Sequence, residues 1–296
     1  MPRRRSLGFQ VTRFAMASLA RLLPPLGSRW AWTQFQRTPP VLDPVEEDQF
    51  FLDSYGNPKT LECEGHTLRV YSMLPPGPAR MRVLMLHGWG SRASTMLELA
   101  KLLMREGAEV ILYDGPSSGL TGSRVSNLPQ MLAAVRALHQ AHGPFDVAIG
   151  HSIGGLVAAQ SMADGGLPAC KVLVSIGSPN SFETMILRLL AHRWMPESTA
   201  RFFEMRAEKR LGRPLEDFGI AVSLAPMAAG RLAYLCLHDH SDPEVPVSDA
   251  REIERALSWA KVEVSNGLGH NRILRDPVTQ KRVLEFVDRA LYHSKA

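Results

Sequence analysis

The segment Val147-Ala148-Ile149-Gly150-His151-Ser152-Ile153-Gly154-Gly155 passes from an apolar run directly into a helical pattern. The apolar run is typical of a strand that is covered on both faces of a parallel sheet. The pattern after it predicts a helix from Ile153 to about Met162. A serine on such a sharp turn has a strained backbone, and small residues at positions 150 and 154 avoid clashes with neighbouring elements. The helix N-terminus also places N–H groups and positive potential beside Ser152, so the segment predicts a nucleophilic serine.

The same alternation of buried strand and amphipathic helix continues along the chain in both directions. Apolar runs predict further strands at residues 83–86, 110–113, 172–174, 235–237 and 262–264. A hairpin that turns at Gly65 is predicted to precede them. The last helix is expected to begin with Asp276 as its N-cap and Pro277 in its first turn. We therefore predict an α/β fold with a mostly parallel, doubly wound sheet.

One interval between two predicted strands, residues 181–230, has no buried-strand signal and is longer than a crossover requires. It has helical character and large apolar side chains at Met185, Ile186, Leu189, Leu190, Trp194, Phe202, Phe203 and Met205. We interpret it as a helical cap inserted between core segments 61–180 and 231–296, at the carboxyl edge of the sheet. Most of these side chains are expected to pack the cap's own core, and a few to face a pocket.

The excess positive charge lies at the N-terminus. The chain has 34 basic and 29 acidic residues, a formal net charge of +5. Residues 1–40 have no acidic residue, and their arginines are Arg3, Arg4, Arg5, Arg13, Arg21, Arg29 and Arg37. The rest is close to neutral, so we expect no nucleic-acid partner. The three cysteines, Cys63, Cys170 and Cys236, show no paired spacing, which argues against a disulfide framework or a structural zinc site.

Residues 1–60 form a basic leader and linker whose role the sequence leaves open. The apolar run 14–20 is bracketed by arginines and is too short to span a membrane. The favoured interpretation is an amphipathic helix that packs on the domain through Phe14, Leu19 and Leu22. A helix on a membrane surface, with arginines interleaved among Trp30, Trp32 and Phe35, is the alternative. A cleaved export signal stays possible, and we expect a cytoplasmic protein.

The motif Gly150-His151-Ser152-Ile153-Gly154, in its strand–turn–helix setting, resembles the nucleophile elbow of the α/β-hydrolase superfamily, and the resemblance extends from about Leu61 to Leu291. It implies that Ser152 is the nucleophile and that Gly150 and Gly154 permit the turn. It also implies an oxyanion hole. In the loop His87-Gly88-Trp89-Gly90 the residue after His-Gly, Trp89, would offer one backbone N–H, and Ile153 would offer the other. Trp89 makes this loop bulkier than the His-Gly-Gly-Gly form.

The same resemblance implies an acid and a base later in the chain. In His238-Asp239-His240-Ser241-Asp242-Pro243-Glu244-Val245-Pro246, an aspartate precedes x-x-Val-Pro, which favours Asp242 as the acid and leaves Asp239 as the alternative. The base is His270, in the loop Gly267-Leu268-Gly269-His270-Asn271. Serine, aspartate and histidine then follow in the order that this fold requires.

A metal site competes for the same residues. The spacing His238-x-His240-x-Asp242 resembles the H-x-H-x-D-H of metallo-β-lactamase-type hydrolases, but Pro243 occupies the sixth position. We therefore expect neither metal nor cofactor. The expected activity is that of a carboxylesterase, with lipase or thioesterase next, acting on a small hydrophobic ester. An acyltransferase, or a slow-turnover ligand-binding protein with the same triad, stays open, and the oligomeric state is not predicted.

Overall fold

The computed structural model describes residues 18, 20–37, 45–116, 118, 125–192, 197–227 and 230–293. Its contacts divide the chain into two compact units, one made of residues 1–37 and 181–218, the other of residues 38–180 and 219–296. These bounds differ from the predicted division at residues 60 and 230. The helix that follows residue 45 belongs to the sheet unit, because its Leu52 is fully buried in the hydrophobic core of the sheet.

The larger unit contains an eight-stranded sheet. Its strands are β1 (Lys59–Cys63), β2 (His66–Met73), β3 (Met81–Leu86), β4 (Ala108–Asp114), β5 (Val147–His151), β6 (Val172–Ile176), β7 (Ala233–Asp239) and β8 (Lys261–Ser265). Their order is β1-β2-β4-β3-β5-β6-β7-β8. The β1–β2 hairpin and the β2–β4 pair are antiparallel, and every other pair is parallel. The predicted hairpin and the predicted doubly wound sheet are confirmed.

Helices precede, separate and follow these strands along the chain. They are α1 (Pro24–Gln36), α2 (Glu46–Tyr55), α3 (Leu97–Arg105), α4 (Leu128–His142), α5 (Ile153–Ala163), α6 (Phe182–His192), α7 (Glu197–Leu211), α8 (Ile220–Leu224), α9 (Ser248–Ala256), α10 (Gly269–Arg272) and α11 (Pro277–Tyr292). The predicted N-cap of α11 is confirmed, because the Asp276 carboxylate accepts a hydrogen bond of 2.8 Å from the Thr279 N–H. None of the helices in the described ranges is both long and apolar enough to cross a bilayer.

The central strands are buried on both faces, as their continuous apolar sequences predict. All residues of β5 and β6 are buried, and so are all but one of β3 and of β4. Full burial of one such Val, Leu or Ile side chain contributes about 1.5–3 kcal/mol. Because β3, β5, β6, β7 and β8 run parallel, their carboxyl ends lie at one edge of the sheet. The residues that follow these strands therefore lie along the same edge and are held in place by the sheet.

In the smaller unit α1 packs against α7 through aromatic side chains. The ring of Phe203 lies 5.3 Å from that of Trp32 and 5.4 Å from that of Phe35. The Thr199 hydroxyl donates a hydrogen bond of 3.3 Å to the Ala20 carbonyl. The predicted packing through Leu22 is wrong, because Leu22 is 79% exposed. Phe14 and Leu19 lie outside the described residues.

The apolar side chains expected to fill the predicted cap do so only in part. Ile186, Leu190 and Phe203 are buried, whereas Phe202 and Met205 are 39% and 57% exposed. Trp194 lies outside the described residues. The exposed pair lies one turn apart on α7, so this helix is apolar on more than the face that packs against α1.

Candidate active site

Ser152 lies at the turn between β5 and α5 with a backbone that few non-glycine residues adopt. Its φ is 55° and its ψ is −130°. Such a conformation persists only where the surrounding structure enforces it, and it is concentrated at functional sites. One constraint is the hydrogen bond of 2.9 Å from the Ser152 N–H to the Ile176 carbonyl at the end of β6. The serine itself is partly exposed. The turn therefore presents a strained, accessible hydroxyl at the carboxyl edge of the sheet.

Close backbone contacts require glycine on both sides of this serine. A Cβ on Gly154 would lie 2.2 Å from the Leu86 carbonyl oxygen, at the end of β3. A Cβ on Gly150 would lie 2.3 Å from the Gly155 nitrogen. Neither backbone neighbour can move without disturbing the end of β3 or the first turn of α5. The tight packing of α5 against the strand ends thus depends on these two positions.

Asp242 and His270 form a short, buried hydrogen bond. Asp242 Oδ2 lies 2.7 Å from His270 Nδ1, and the two side chains are 1% and 5% exposed. Burial alone would raise the pKa of Asp242, but hydrogen bonds from His270 and from the Val245 and Glu244 N–H groups outweigh it and lower that pKa. Asp242 is therefore an ionised acceptor, so His270 Nδ1 carries the proton. In the neutral imidazole Nε2 is then the basic nitrogen.

The Asp242–His270 pair and Ser152 lie against successive residues at the end of β6. Ile176 accepts the Ser152 N–H bond, and a Cβ on the next residue, Gly177, would lie 3.4 Å from both Asp242 Oδ2 and His270 Nδ1. The hydrogen bonds found among the described residues do not include one between the Ser152 hydroxyl and His270 Nε2. His270 Nε2 instead lies 3.7 Å from Glu244 Oε2. The structure thus places Ser152 and the Asp242–His270 pair at the same end of β6, and the described residues show no hydrogen bond between the serine and the histidine.

His151, for which the sequence predicted no role, connects the serine turn to the short helix α10, which carries His270 in place of the predicted loop. Its Nε2 lies 2.9 Å from the His270 carbonyl oxygen, which can only accept, so His151 is the Nε2–H tautomer. Its ring lies 4.7 Å from the His270 ring. Burial, and then the positive charge of a protonated His270, lower the pKa of His151 to about 3. His151 is therefore neutral at physiological pH. In the sequence, the signal that could have identified His151 is its position directly before Ser152.

The Asp239 carboxylate binds the backbone N–H groups just before His270 and does not contact the imidazole. Its carboxylate accepts hydrogen bonds from the Gly269 N–H at 2.9 Å, the Leu268 N–H at 3.1 Å and the Ser265 hydroxyl at 2.8 Å. The Ser241 N–H donates a fourth. Burial would raise the pKa of Asp239, but these donors lower it to about 2. The two candidate acids therefore have different partners, since Asp242 contacts the His270 ring and Asp239 contacts the loop before it.

The loop after β3 lies directly against the serine turn. A Cβ on Gly88 would lie 3.0 Å from the Ser152 Cβ, so Trp89 follows a residue in contact with the serine. The loop is held by His87, whose Nε2 accepts the Gly115 N–H at 3.0 Å and whose Nδ1 donates to the Gly88 carbonyl at 2.8 Å. Burial lowers the pKa of His87, which keeps it neutral. Ile153 is the first residue of α5, where N–H groups have no acceptor within the helix.

The residues of the alternative metal pattern do not converge as a set of three, although His238 Nε2 lies 3.9 Å from Asp242 Oδ2. His238 is fully buried, and its Nε2 donates to the Val245 carbonyl at 2.9 Å. His240 is exposed. Across the described ranges, no group of three His, Cys, Asp or Glu side chains is placed to bind a metal ion.

Comparisons with known proteins agree with this architecture. The model of the alpha/beta hydrolase family matches residues 83–283. A candidate lipase from Acinetobacter baumannii AYE is 17% identical with a TM-score of 0.63, over 86% of this chain and 100% of that one. The esterase RhEst1 from Rhodococcus sp. ECU1013 is 17% identical with a TM-score of 0.59, over 79% and 99%. A proline iminopeptidase from Mycobacterium smegmatis is 14% identical with a TM-score of 0.59, over 81% and 100%. No curated protein gave a significant match. At these identities the solved structures establish the fold alone.

Proposed function

The chain belongs to the alpha/beta hydrolase family, and from that premise we propose that it is a serine esterase. Ser152 is the nucleophile, His270 the general base and Asp242 the acid that orients it. The observation that carries the proposal is the buried 2.7 Å bond between Asp242 and His270 beside the strained turn at Ser152. Similarity to an esterase and a candidate lipase supports ester bonds as the target.

The reaction proceeds through an acyl-enzyme intermediate. His270 Nε2 takes the Ser152 proton as the hydroxyl oxygen attacks the substrate carbonyl, and Asp242 stabilises the imidazolium that forms. The tetrahedral intermediate collapses, the alcohol leaves with the proton from Nε2, and the acyl group stays on Ser152. Water, activated by the same nitrogen, then releases the acid. Hydrogen bonds between catalytic groups are often long before substrate binds, so the serine–histidine bond is expected to form in the substrate complex.

The developing negative charge is stabilised by the backbone N–H groups of Trp89 and Ile153. Support for this placement comes from Gly88, which contacts Ser152, and from the position of Ile153 at the start of α5. Loss of one such donor costs about 3 kcal/mol in transition-state stabilisation. Trp89 narrows the acyl pocket, and a small hydrophobic acyl group is the expected substrate.

Fluorophosphonate labelling tests the nucleophile directly. The wild-type protein is expected to react once, at Ser152, and to hydrolyse short p-nitrophenyl esters. Ser152→Ala should lose both properties while retaining the wild-type circular dichroism spectrum. Ser241→Ala is the matched control, because this exposed serine lies beside Asp242 and hydrogen-bonds Asn266. Full ester turnover by Ser152→Ala, in a protein that does not react with fluorophosphonate, would refute the proposal.

A further inference from the structure

The carboxylate of Glu244 faces the outer nitrogen of His270. Glu244 Oε2 lies 3.7 Å from His270 Nε2, and the Glu244 side chain is 59% exposed. The Glu244 N–H donates a hydrogen bond of 2.8 Å to Asp242 Oδ1, so the acid that orients the imidazole also fixes the backbone of Glu244. A second carboxylate is thus held at the nitrogen opposite to the one that Asp242 contacts.

In the proposed mechanism, the Glu244 carboxylate lies where the alcohol leaves. His270 Nε2 is the nitrogen that returns the proton to the departing alcohol, so the leaving group must pass within a few ångströms of it. The Glu244 carboxylate is therefore a negative charge beside the leaving group, on a side chain whose backbone N–H is held by Asp242. Within the described part of the chain, Glu244 forms no ion pair with a lysine or an arginine, and it pairs with His270 once Nε2 is protonated.

We propose that Glu244 is a specificity-determining residue that favours esters whose alcohol carries a positive charge, such as quaternary ammonium alcohols. The inference rests on the proposed function and adds the chemistry of the leaving group, while the acyl group stays hydrophobic. The Glu244 carboxylate attracts a cationic alcohol group in addition to the imidazolium that forms during the reaction. Alcohols that carry a negative charge are disfavoured by the same charge.

The size of the effect follows from Coulomb's law. Two unit charges about 6 Å apart, at an effective dielectric constant of about 60, favour the cation by about 5-fold in kcat/KM. The preference is moderate because Glu244 is more than half exposed.

The experiment compares two esters of one acyl group, the choline ester and its neutral isostere, the 3,3-dimethylbutyl ester. The measured quantity is the ratio of their kcat/KM values, cationic over neutral. Glu244→Gln keeps the shape of the side chain and is expected to lower the ratio about 5-fold. Glu244→Lys should lower it further. Glu254→Gln is the matched control, because Glu254 is an exposed glutamate on α9 that pairs with Arg251, and it should leave the ratio unchanged.

A second pair of esters separates the two ends of the substrate. In this pair the trimethylammonium group is on the acyl side. Glu244→Gln should change the ratio of kcat/KM for the cationic ester over its neutral isostere by less than 2-fold. A choline ratio that is equal in the wild type and in Glu244→Gln, in an active esterase, would overturn the inference and leave the proposed function intact. If Glu244→Gln lowers kcat/KM equally for the choline ester and the 3,3-dimethylbutyl ester, the inference is also overturned, because Glu244 then only positions His270. No turnover of either ester by the wild type would refute the proposed function, and the inference with it.

Discussion

Replacement of His151 by glutamine should make the protein more resistant to acid. His151 is buried beside Ser152, and its Nε2–H group donates to the His270 carbonyl. Its other ring nitrogen, Nδ1, is buried and accepts no hydrogen bond from the described residues. Protonation of His151 would therefore place an unpaired charge in the protein interior. Glutamine has an N–H donor of similar reach for the His270 carbonyl but does not take up a proton.

The magnitude follows from the difference in pKa between the folded and unfolded states. The ordinary pKa of 6.5 applies to the unfolded chain, and the folded value is about 3. Between these values the unfolded state binds one more proton, so the free energy of unfolding falls as the pH falls. The contribution of neutral His151 to the free energy of unfolding is fully present above pH 6.5. It is lost progressively towards pH 3, at about 1.4 kcal/mol per pH unit. Between pH 7 and pH 5, His151 accounts for a loss of about 2 kcal/mol.

Urea denaturation followed by tryptophan fluorescence at pH 7 and pH 5 measures this loss. The decrease in the free energy of unfolding between the two pH values should be about 2 kcal/mol smaller in His151→Gln than in the wild type. His293→Gln is the control, because the His293 side chain is 68% exposed, and it should behave as the wild type does. If all three proteins lose the same free energy between pH 7 and pH 5, His151 is not a buried neutral imidazole, and the argument fails.

Three further substitutions test the site. Asp242→Asn should lower kcat/KM by about 10³- to 10⁴-fold, because asparagine no longer selects the Nδ1–H tautomer of His270; a loss below 10-fold on p-nitrophenyl esters would contradict the assigned role. Gly154→Ala should destabilise the fold by more than about 3 kcal/mol in urea denaturation, because its Cβ would lie 2.2 Å from a carbonyl oxygen, whereas Gly77→Ala, with no atom within 4 Å of its Cβ, should change stability little. Asp239→Asn should cost about 2 kcal/mol at pH 7, because an amide cannot accept all four hydrogen bonds. The higher free energy of unfolding of the wild type relative to Asp239→Asn is present above pH 3.8 and should disappear as the pH falls through about 2. A difference that persists at lower pH would argue against the ionised carboxylate as its source.

The sequence determined the order of strands and helices, because the signals for them are local. Apolar runs fix buried strands, the 3.6-residue period fixes helices, and Asp276 caps the helix that follows it. The motif around Ser152 also predicted where glycine is required, since the turn from strand to helix lies within a few residues. One prediction from periodicity was wrong. Leu22, which precedes α1, is exposed, and the contacts with α7 come from Trp32 and Phe35 of α1.

The tertiary structure decided which side chains meet. Asp239 ends β7 and Asp242 lies three residues later in the loop that follows. Which carboxylate faces the His270 ring, and which the backbone before it, depends on how that loop turns. The contact of His151 with the His270 carbonyl joins residues 119 positions apart. The approach of Glu244 to His270 Nε2 likewise needs two loops at the same sheet edge. A pattern along the chain records the residue types at each position, but the distances between strand ends are set by the pairing of the strands.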